Sequence, residues 1–538
     1  MSAESTSTSY EELFAGEDAP AVPHLAFDHW LCNGELRKWE GESCVAYSPI
    51  FKQGAAKTQT VIGSFPMQTE KEALEALDAA CAAFDQGKGV WPRLNVATRI
   101  GYMERFLEAL RTRRDQIVDL IMWEICKTSD DAAKEVDRTI IYIQDTIDEL
   151  KRMENRSSTF TQVGGVMAQI RRCPYGVAVI CSPFNYPFNE SYATMIPALI
   201  MGNTVVMKLP RLGVLCHYPT LELFREIFPP GVINVISGSG RSTLPPIMKS
   251  GRVDILAFIG TSRAASALQT AHPNPHRLRA CLGLEAKNAA FVLPSADLKV
   301  AVEQCLLGSL SYNGQRCTAI KMIMVHESIA EQFVERFCSA VDALKMGMPW
   351  SAGVKITPLP EPDKTKYLSE LIADAEAKGA KVVNKRGATV DRTLFAPAVL
   401  YPANKEMRIF HEEQFGPVVP ITTYREEQEI FDYLAASQYG QQCAVFSQDA
   451  KAVGSLLDVL VNMVARVNLN SQCQRGPDVL PFGGRKDSAY GTLSVYDALR
   501  TFSIRSIFAA AQNDSNEEIV SQILRERGSN FLRMDYMF

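Results

Sequence analysis

The stretch Val177-Ala178-Val179-Ile180-Cys181-Ser182-Pro183-Phe184-Asn185-Tyr186-Pro187 decides the architecture. It begins as an apolar, β-branched run, the mark of a strand buried on both faces, and ends in a proline-flanked loop. A helical stretch follows through Ile200, and Thr204 to Met207 reads as a second strand ending at Lys208. Val232 to Ile236 forms a third strand and runs into Gly238-Ser239-Gly240, after which Ser242 or Thr243 and the pair Pro245-Pro246 are expected to open a helix. Ile255 to Phe258 is a fourth strand, ending in Gly260-Thr261-Ser262. Strands about 20 to 30 residues apart with helical pattern between them predict parallel βαβ units. In such sheets ligands bind outside the carboxyl ends of the strands. Asn185, Lys208, Gly238, Gly240, Gly260 and Thr261 all fall there. The Gly-x-Gly turn lacks the third glycine of the dinucleotide fingerprint, since residue 243 is Thr. The convergence of four strand ends carries the expectation of a nucleotide-binding layer.

Upstream, His29-Trp30-Leu31 and Ala46-Tyr47 read as short strands, and Glu70 to Phe84 as an alanine-rich helix. Met103, Phe106, Leu107 and Leu110 recur at helical spacing, and an apolar run extends from Ile117 to Ile125. Ser129 or Asp130 is placed to cap a helix with the stripe Val136, Ile140, Ile143, Ile147 and Leu150. Arg138 lies off that stripe, where an arginine is ordinarily a solvated charge. Val163-Gly164-Gly165-Val166 predicts a hairpin that leans on another domain or subunit. Downstream, Ala289 to Leu293 is a further strand, and αβ units continue to about residue 478. Phe502, Ile504 and Ile507 mark an edge strand, and Ser515 with Glu518 forms a capping box for a last helix that Gly528 ends.

A helix from Ala301 leads into Ser311-Tyr312-Asn313-Gly314-Gln315-Arg316-Cys317-Thr318-Ala319-Ile320-Lys321. Cys317 follows a glycine turn and stands beside an arginine. A thiolate is a strong nucleophile once donors or cations lower its pKa. Buried packing is the other role open to a free cysteine.

Hydrophobic residues make up 46% of the 538 residues and charged residues 22%, enough for two or three domains with large cores. A net charge of -5 argues against a general nucleic-acid binder and leaves anionic ligands to local arginines. The thirteen cysteines form no CxxC pair, and the seven histidines do not join them at zinc spacing, so no metal site is expected. Scattered free cysteines, no membrane-length apolar run and a Ser/Thr/Glu-rich stretch over residues 1–23 predict a cytoplasmic protein with a flexible N-terminal tail.

Four windows carry a resemblance to the aldehyde dehydrogenase superfamily over nearly all of residues 24–510. They are Pro183-Phe184-Asn185-Tyr186-Pro187-Phe188-Asn189, Gly314-Gln315-Arg316-Cys317-Thr318-Ala319, Glu412-Glu413-Gln414-Phe415-Gly416-Pro417 and Pro481-Phe482-Gly483-Gly484-Arg485-Lys486. Within the superfamily the chain looks most like the non-phosphorylating glyceraldehyde-3-phosphate dehydrogenases. Tyr186, Gln315-Arg316, Glu135-Val136-Asp137-Arg138-Thr139 and Gln474-Arg475-Gly476 match their pattern. The resemblance implies that Cys317 attacks the aldehyde carbon while the Asn185 amide and the Cys317 N–H stabilise the oxyanion. It implies a phosphate site of Arg138, Tyr186, Arg316 and Arg475, with guanidinium forks on phosphate oxygens. Glu413 is expected on the nicotinamide ribose and Phe415 beside the ring, core packing being its other role. NAD-preferring relatives often carry Glu where this chain has Arg211, so Lys208 and Arg211 favour NADP over NAD; the alternative is an ordinary surface arginine.

One segment departs from the pattern. The family's general base is the Glu of Glu-Leu-Gly-Gly-Lys, and this chain reads Gly283-Leu284-Glu285-Ala286-Lys287. Glu285 lies two residues on, on the same face of an extended chain about 6–7 Å away. It serves as the base through one intermediary, or pairs with Lys287 or an arginine and does no chemistry. Superfamily members lacking this glutamate include ones that pass the acyl group to coenzyme A, so a CoA-acylating semialdehyde dehydrogenase is an alternative. An inactive relative acting as a binding protein is another.

The expected organisation is α/β: a Rossmann-type cofactor domain over 24–153 and 174–284, a catalytic domain over 285–480, and a β oligomerisation arm over 154–173 and 498–510. A helical extension follows over 511–538. The exposed arm strands predict a homodimer or homotetramer.

Overall fold

The computed structural model describes residues 19–51 and 58–534. The first eighteen residues of the expected N-terminal tail and the last four of the expected extension lie outside the described residues.

The four strands expected around the opening stretch form Val177–Cys181, Thr204–Lys208, Ile233–Ile236 and Ile255–Ile259, buried nearly throughout because helices cover both faces. A fifth, Arg279–Gly283, pairs parallel with Ile255–Ile259. Sequence pattern did not indicate it, since Arg279 is exposed and only Cys281 and Leu282 carry apolar burial. The full sheet runs from Ala489–Tyr490 through Arg279–Gly283, Ile255–Ile259, Val177–Cys181, Thr204–Lys208, Ile233–Ile236 and His29–Cys32 to Glu35–Lys38. The first strand of the block therefore lies between the second and the fourth. That reversal of order between Val177–Cys181 and Ile255–Ile259 is a topological switch point, where the loops part and leave a crevice.

A second sheet of seven strands is ordered Lys381–Val382, Ala398–Tyr401, Val418–Tyr424, Met322–His326, Ala289–Val292, Gln442–Phe446, Arg466–Leu469. It is parallel except at its first strand. The Gly164-Gly165 hairpin forms as expected, both glycines having positive φ, and joins Thr161–Val163 to Val166–Pro174. Ser503–Ala511 adds to it antiparallel along nine residues. Val163, Val166, Ile504 and Ile507 are exposed on this arm. After it, the helix Asp514–Glu526 leads to a tail whose Phe531 and Arg533 carbonyls accept from Arg171 and Gln169. No helix among the described residues is long and apolar enough to cross a membrane.

Three helix starts differ from expectation, two by one or two residues and the helix expected to open at Ser242 or Thr243 by three or four. Thr128, not Ser129 or Asp130, caps Ser129–Ser157, and Asn513, not Ser515, caps the last helix. Pro245 and Pro246 lie inside Gly240–Lys249, which Ser239 caps. They are its sixth and seventh residues, past the first four orphan amides, so each removes one intrahelical hydrogen bond.

The stripe Val136, Ile140, Ile143, Ile147 and Leu150 is buried, and the same helix buries Glu135. The Glu135 carboxylate pairs with the fully buried Lys127, and its other oxygen accepts from Phe188 N (3.0 Å) and Asn189 N (3.1 Å). Two otherwise orphaned amides at the start of helix Pro187–Ile200 are thereby satisfied. Lys127 Nζ in turn lies 3.3 Å from the centre of the Tyr186 ring and 4.8 Å from that of Tyr312. Glu135→Ala would leave a buried ammonium without its counter-charge and should cost about 3–5 kcal/mol. The urea unfolding midpoint reads this; a loss under about 1 kcal/mol, the worth of a surface pair, would show that the pair does not anchor the helix.

Candidate active site

The crevice at the switch point opens into a cavity of about 1380 Å³ bounded by both large sheets. Cys317 reaches it from a strained turn. Helix Leu298–Leu310 ends, and Tyr312, Asn313 and Gly314 take positive φ values of 48°, 55° and 70°. Asn313 tolerates this because its side-chain amide donates to Thr357 O and its carbonyl accepts from Thr357 N. Only glycine fits at 314, since a Cβ would lie 2.7 Å from the carbonyl oxygens of Gly416 and Ser309. Beyond the turn, Asn288 Nδ2 and Lys321 Nζ each donate to Cys317 O at 2.8 Å, fixing the nucleophile's backbone.

Asn185 approaches from the strand-to-helix turn of the other sheet. Its Nδ2 donates to Gln315 O at 2.9 Å, two residues before Cys317, and both side chains line the cavity. Sulfur and side-chain amide thus face one space, as an addition to a carbonyl requires. The Cys317 thiol is raised above its ordinary value by burial first, with the Glu190 carboxylate adding to the effect and Lys321 opposing it.

At the cofactor-sheet end, Lys208, Arg211, Gly240, Gly260 and Thr261 line the same cavity. Lys208 is only 8% exposed and among the described residues no ion pair holds it; burial, with a smaller push from Arg211, brings it down to about 8. Gly238 does not line the cavity. Its place is set by packing, for a Cβ there would lie 2.5 Å from Gln68 O. Thr261 caps helix Ser262–Ala271. Glu413 pairs with Lys321 at 3.0 Å and accepts from Ala286 N at 3.1 Å, while Phe415 packs edge-on against Phe184 at 5.9 Å.

Glu285 pairs with neither Lys287 nor an arginine. Its carboxylate accepts from Ser262 N at 2.8 Å, at the amino end of helix Ser262–Ala271. Lys287 is spent on Ile409 O, Glu412 O and Gln414 Oε1. Gly283, at the position matching the family's base, lines the cavity without a side chain.

The expected phosphate residues part company. Arg316 turns its guanidinium to the carbonyls of Leu307 (3.2 Å) and Gly308 (2.8 Å), at the carboxyl end of helix Leu298–Leu310, where the helix dipole favours a cation even though Ser311 N and Ile320 N already donate to the same oxygens. Tyr186 lies beneath the Lys127 ammonium. Arg138 and Arg475 line the same cavity as Tyr186 and Arg316, and each is held by a carboxylate. Arg138 forms a two-pronged pair with Asp478 at 2.6 and 2.7 Å. Arg475, 6% exposed, pairs with Glu190, and its Nε lies 3.4 Å from Asp478. Sequence reading missed both carboxylates. Glu190 is signalled as the one charged residue in helix Pro187–Ile200, and Asp478 as an acid three residues beyond Arg475.

Residues 49–507 match the aldehyde dehydrogenase family. The chain belongs to that family. An NADP-dependent glyceraldehyde-3-phosphate dehydrogenase of Streptococcus equinus is 32% identical, over 86% of this chain and 94% of the relative. The crystal structure of an NADP-dependent glyceraldehyde-3-phosphate dehydrogenase from Bacillus halodurans C-125, complexed with NADP, aligns with TM-score 0.83 at 29% identity, covering 91% of this chain and 100% of that one. A chloroplastic aminoaldehyde dehydrogenase of Arabidopsis thaliana is 25% identical over 85% of this chain and 92% of its own length. This aldehyde dehydrogenase therefore has the α/β architecture of its family, with Cys317 and Asn185 converging in one cavity.

Because burial favours the neutral thiol and only the thiolate is alkylated, iodoacetamide labelling of Cys317 in the free enzyme should be slow near neutral pH. It should still be rising where an ordinary cysteine, with its value of 9.0, is half ionised. A labelling rate that levels off below pH 8 would contradict the environment described for the sulfur.

Proposed function

We propose that this aldehyde dehydrogenase oxidises a small phosphorylated aldehyde, glyceraldehyde 3-phosphate, to 3-phosphoglycerate with NADP and without inorganic phosphate. The observation that carries the reading is the sharing of one cavity by Cys317, Asn185, the guanidiniums of Arg138 and Arg475, and the cations Lys208 and Arg211. The similarity to NADP-dependent glyceraldehyde-3-phosphate dehydrogenases supports it.

The cofactor residues suit a phosphorylated dinucleotide. A buried lysine without an ion-pair partner is costly unless a ligand supplies the counter-charge, and Arg211 stands three residues beyond it, exposed to a second phosphate. Gly260 and Thr261 line the cavity at the amino end of helix Ser262–Ala271, beside the Glu285 carboxylate that takes the Ser262 amide. When bound, the nicotinamide supplies the acceptor for the hydride lost by the aldehyde carbon. Cys317 sulfur adds to that carbon, and its carbonyl oxygen becomes an oxyanion. The Asn185 amide, released from Gln315 O, and the Cys317 N–H stabilise it, each donor contributing roughly 3–4 kcal/mol. Loss of hydride leaves a Cys317 thioester, which water cleaves. The exposed apolar arm supports a homodimer or homotetramer.

Gly283 at the base position and the engagement of Glu285 by Ser262 N favour a second reading, in which the thioester passes to a coenzyme A thiol. Absorbance at the NADPH band separates the two. Steady NADPH production from glyceraldehyde 3-phosphate and NADP, without phosphate or coenzyme A, is expected. A single turnover released only by coenzyme A would establish the second reading instead.

The cofactor assignment makes two predictions. Arg211→Glu should raise KM for NADP about tenfold or more, the worth of one charge-assisted hydrogen bond, and leave KM for NAD within about threefold; equal effects on both would remove Arg211 from the 2′-phosphate. Since Lys208 sheds its proton near pH 8 in the free enzyme, NADP affinity should fall as pH rises through that value. Titration calorimetry between pH 7 and 9.5 reads the change, and a flat profile would place Lys208 away from the cofactor.

A further inference from the structure

Helix Pro187–Ile200 is buried along its whole length and carries one charge, Glu190 in its first turn. A carboxylate in such a setting is costly unless paired. Glu190 is 8% exposed, shares the cavity with Cys317 and is held there by Arg475. With Arg138 and Asp478 it completes a cluster of two guanidiniums and two carboxylates, electrically balanced. Among the described residues Arg475 Nη2 has no hydrogen-bond partner and is the open donor of the cluster; an anionic substrate that takes the rest of that guanidinium must replace a carboxylate.

The two carboxylates are not equally replaceable. Asp478 is gripped by both arms of Arg138 and approached by Arg475. Among the described residues Glu190 has Arg475 as its one ion-pair partner. The substrate anion therefore takes Arg475 and frees Glu190. The freed carboxylate is buried beside the sulfur's cavity with its oxygens released from Arg475, in place to accept a proton from a water at the acyl group. The other carboxylates near the sulfur are engaged: Glu285 by Ser262 N, and Glu413 by Lys321 and Ala286 N. Glu190 also weighs on the Cys317 thiol more than any other charged group does.

We infer that Glu190 is the general base for hydrolysis of the Cys317 thioester, withheld by Arg475 until the anionic group of the substrate occupies that guanidinium. The inference rests on the proposed aldehyde oxidation, which forms the thioester. Water oxygen bonds to the thioester carbonyl carbon as one water proton passes to the Glu190 carboxylate. The carbon–sulfur bond then breaks, the sulfur leaves with the bonding pair, and the proton on Glu190 returns to it. Acyl-enzyme and water become carboxylic acid and thiol, with no change in oxidation state. Deacylation is thereby coupled to substrate charge: an aldehyde without an anionic group acylates Cys317 and leaves the base in its ion pair.

Stopped-flow NADPH absorbance with Glu190→Gln, Glu190→Asp and Glu285→Gln tests this. With glyceraldehyde 3-phosphate, Glu190→Gln should give a burst of one NADPH per site, which also reports an intact fold. Its steady rate should be about 100-fold or more below wild type, the usual worth of a general base. Glu190→Asp should retain part of the rate, and the acid limb of the kcat profile should be absent in Glu190→Gln. Wild type with unphosphorylated glyceraldehyde should burst and slow, and phosphite dianion should restore its turnover. Four results would overturn the inference: turnover of Glu190→Gln within about threefold of wild type with only KM changed, well below the hundredfold of a lost base; a stall in Glu285→Gln instead; no burst from Glu190→Gln; or wild-type turnover indifferent to the substrate's phosphate. Absence of both burst and turnover in wild type would instead remove the aldehyde oxidation itself, and this step with it.

Discussion

The catalytic geometry depends on one buried carboxylate. Glu135 projects from helix Ser129–Ser157 and accepts from the first amides of helix Pro187–Ile200, while Lys127 balances its charge from below. That contact fixes where a strand of the cofactor sheet turns into a helix, and the turn carries Asn185, Tyr186 and Glu190. Were the amides left to water or to a side chain of their own loop, the turn would have the freedom of an ordinary surface connection. Instead the oxyanion donor, the ring above Lys127 and the buried acid are set on a rigid element. The nucleophile arrives from the second sheet, on a turn whose positive φ values are held by the Asn313–Thr357 contact. Turns from the two sheets thus meet at Gln315 O, which accepts the Asn185 amide.

The central sheet was legible because each of its first four strands is a short continuous apolar run, and such runs are what burial on both faces demands. Arg279–Gly283 escaped because it mixes an exposed arginine with small residues and ends in glycine, so neither alternation nor a run is present. Its identity as a strand is set by its neighbours, Ile255–Ile259 on one side and Ala489–Tyr490 on the other, and the second of these lies about two hundred residues along. Two helix starts were misplaced by a residue or two for a simpler reason. Around Thr128 and Asn513 several capping side chains stand in a row, and which one takes the amide is decided by the direction in which the chain enters.

Individual chemical groups in the site were legible where a residue type is intrinsically unusual, as Cys317 after its glycine turn is. Partnership was not. Arg138 and Arg475 look alike in sequence as candidates for a phosphate, yet each is matched by an acid, and Glu190 lies far from Arg475 along the chain. Arg316, adjacent to the nucleophile, donates to the carbonyls at the end of the helix it follows, where the helix dipole favours a cation. Adjacency in sequence says little about direction.

The absence of a carboxylate at 283 is a matter of chemistry rather than backbone. Gly283 ends a regular strand, paired with Ile259 and Ala489, and its φ lies outside the left-handed region that only glycine tolerates easily. A Cβ there would meet Ile259 at 3.4 Å, an ordinary contact at the tight end of the range. Nothing in the packing forbids a side chain at 283. The cavity nevertheless holds its buried, reversibly paired acid on the opposite wall, at Glu190, where an anion on Arg475 decides whether it is free. A base fixed at the end of a strand would act on any acyl group presented to it, whereas one tied to Arg475 acts only beside a charged one. Moving the carboxylate from strand to helix therefore transfers part of the enzyme's selectivity from binding to deacylation, the step at which an unwanted aldehyde has already been held by Cys317 and can still be refused turnover.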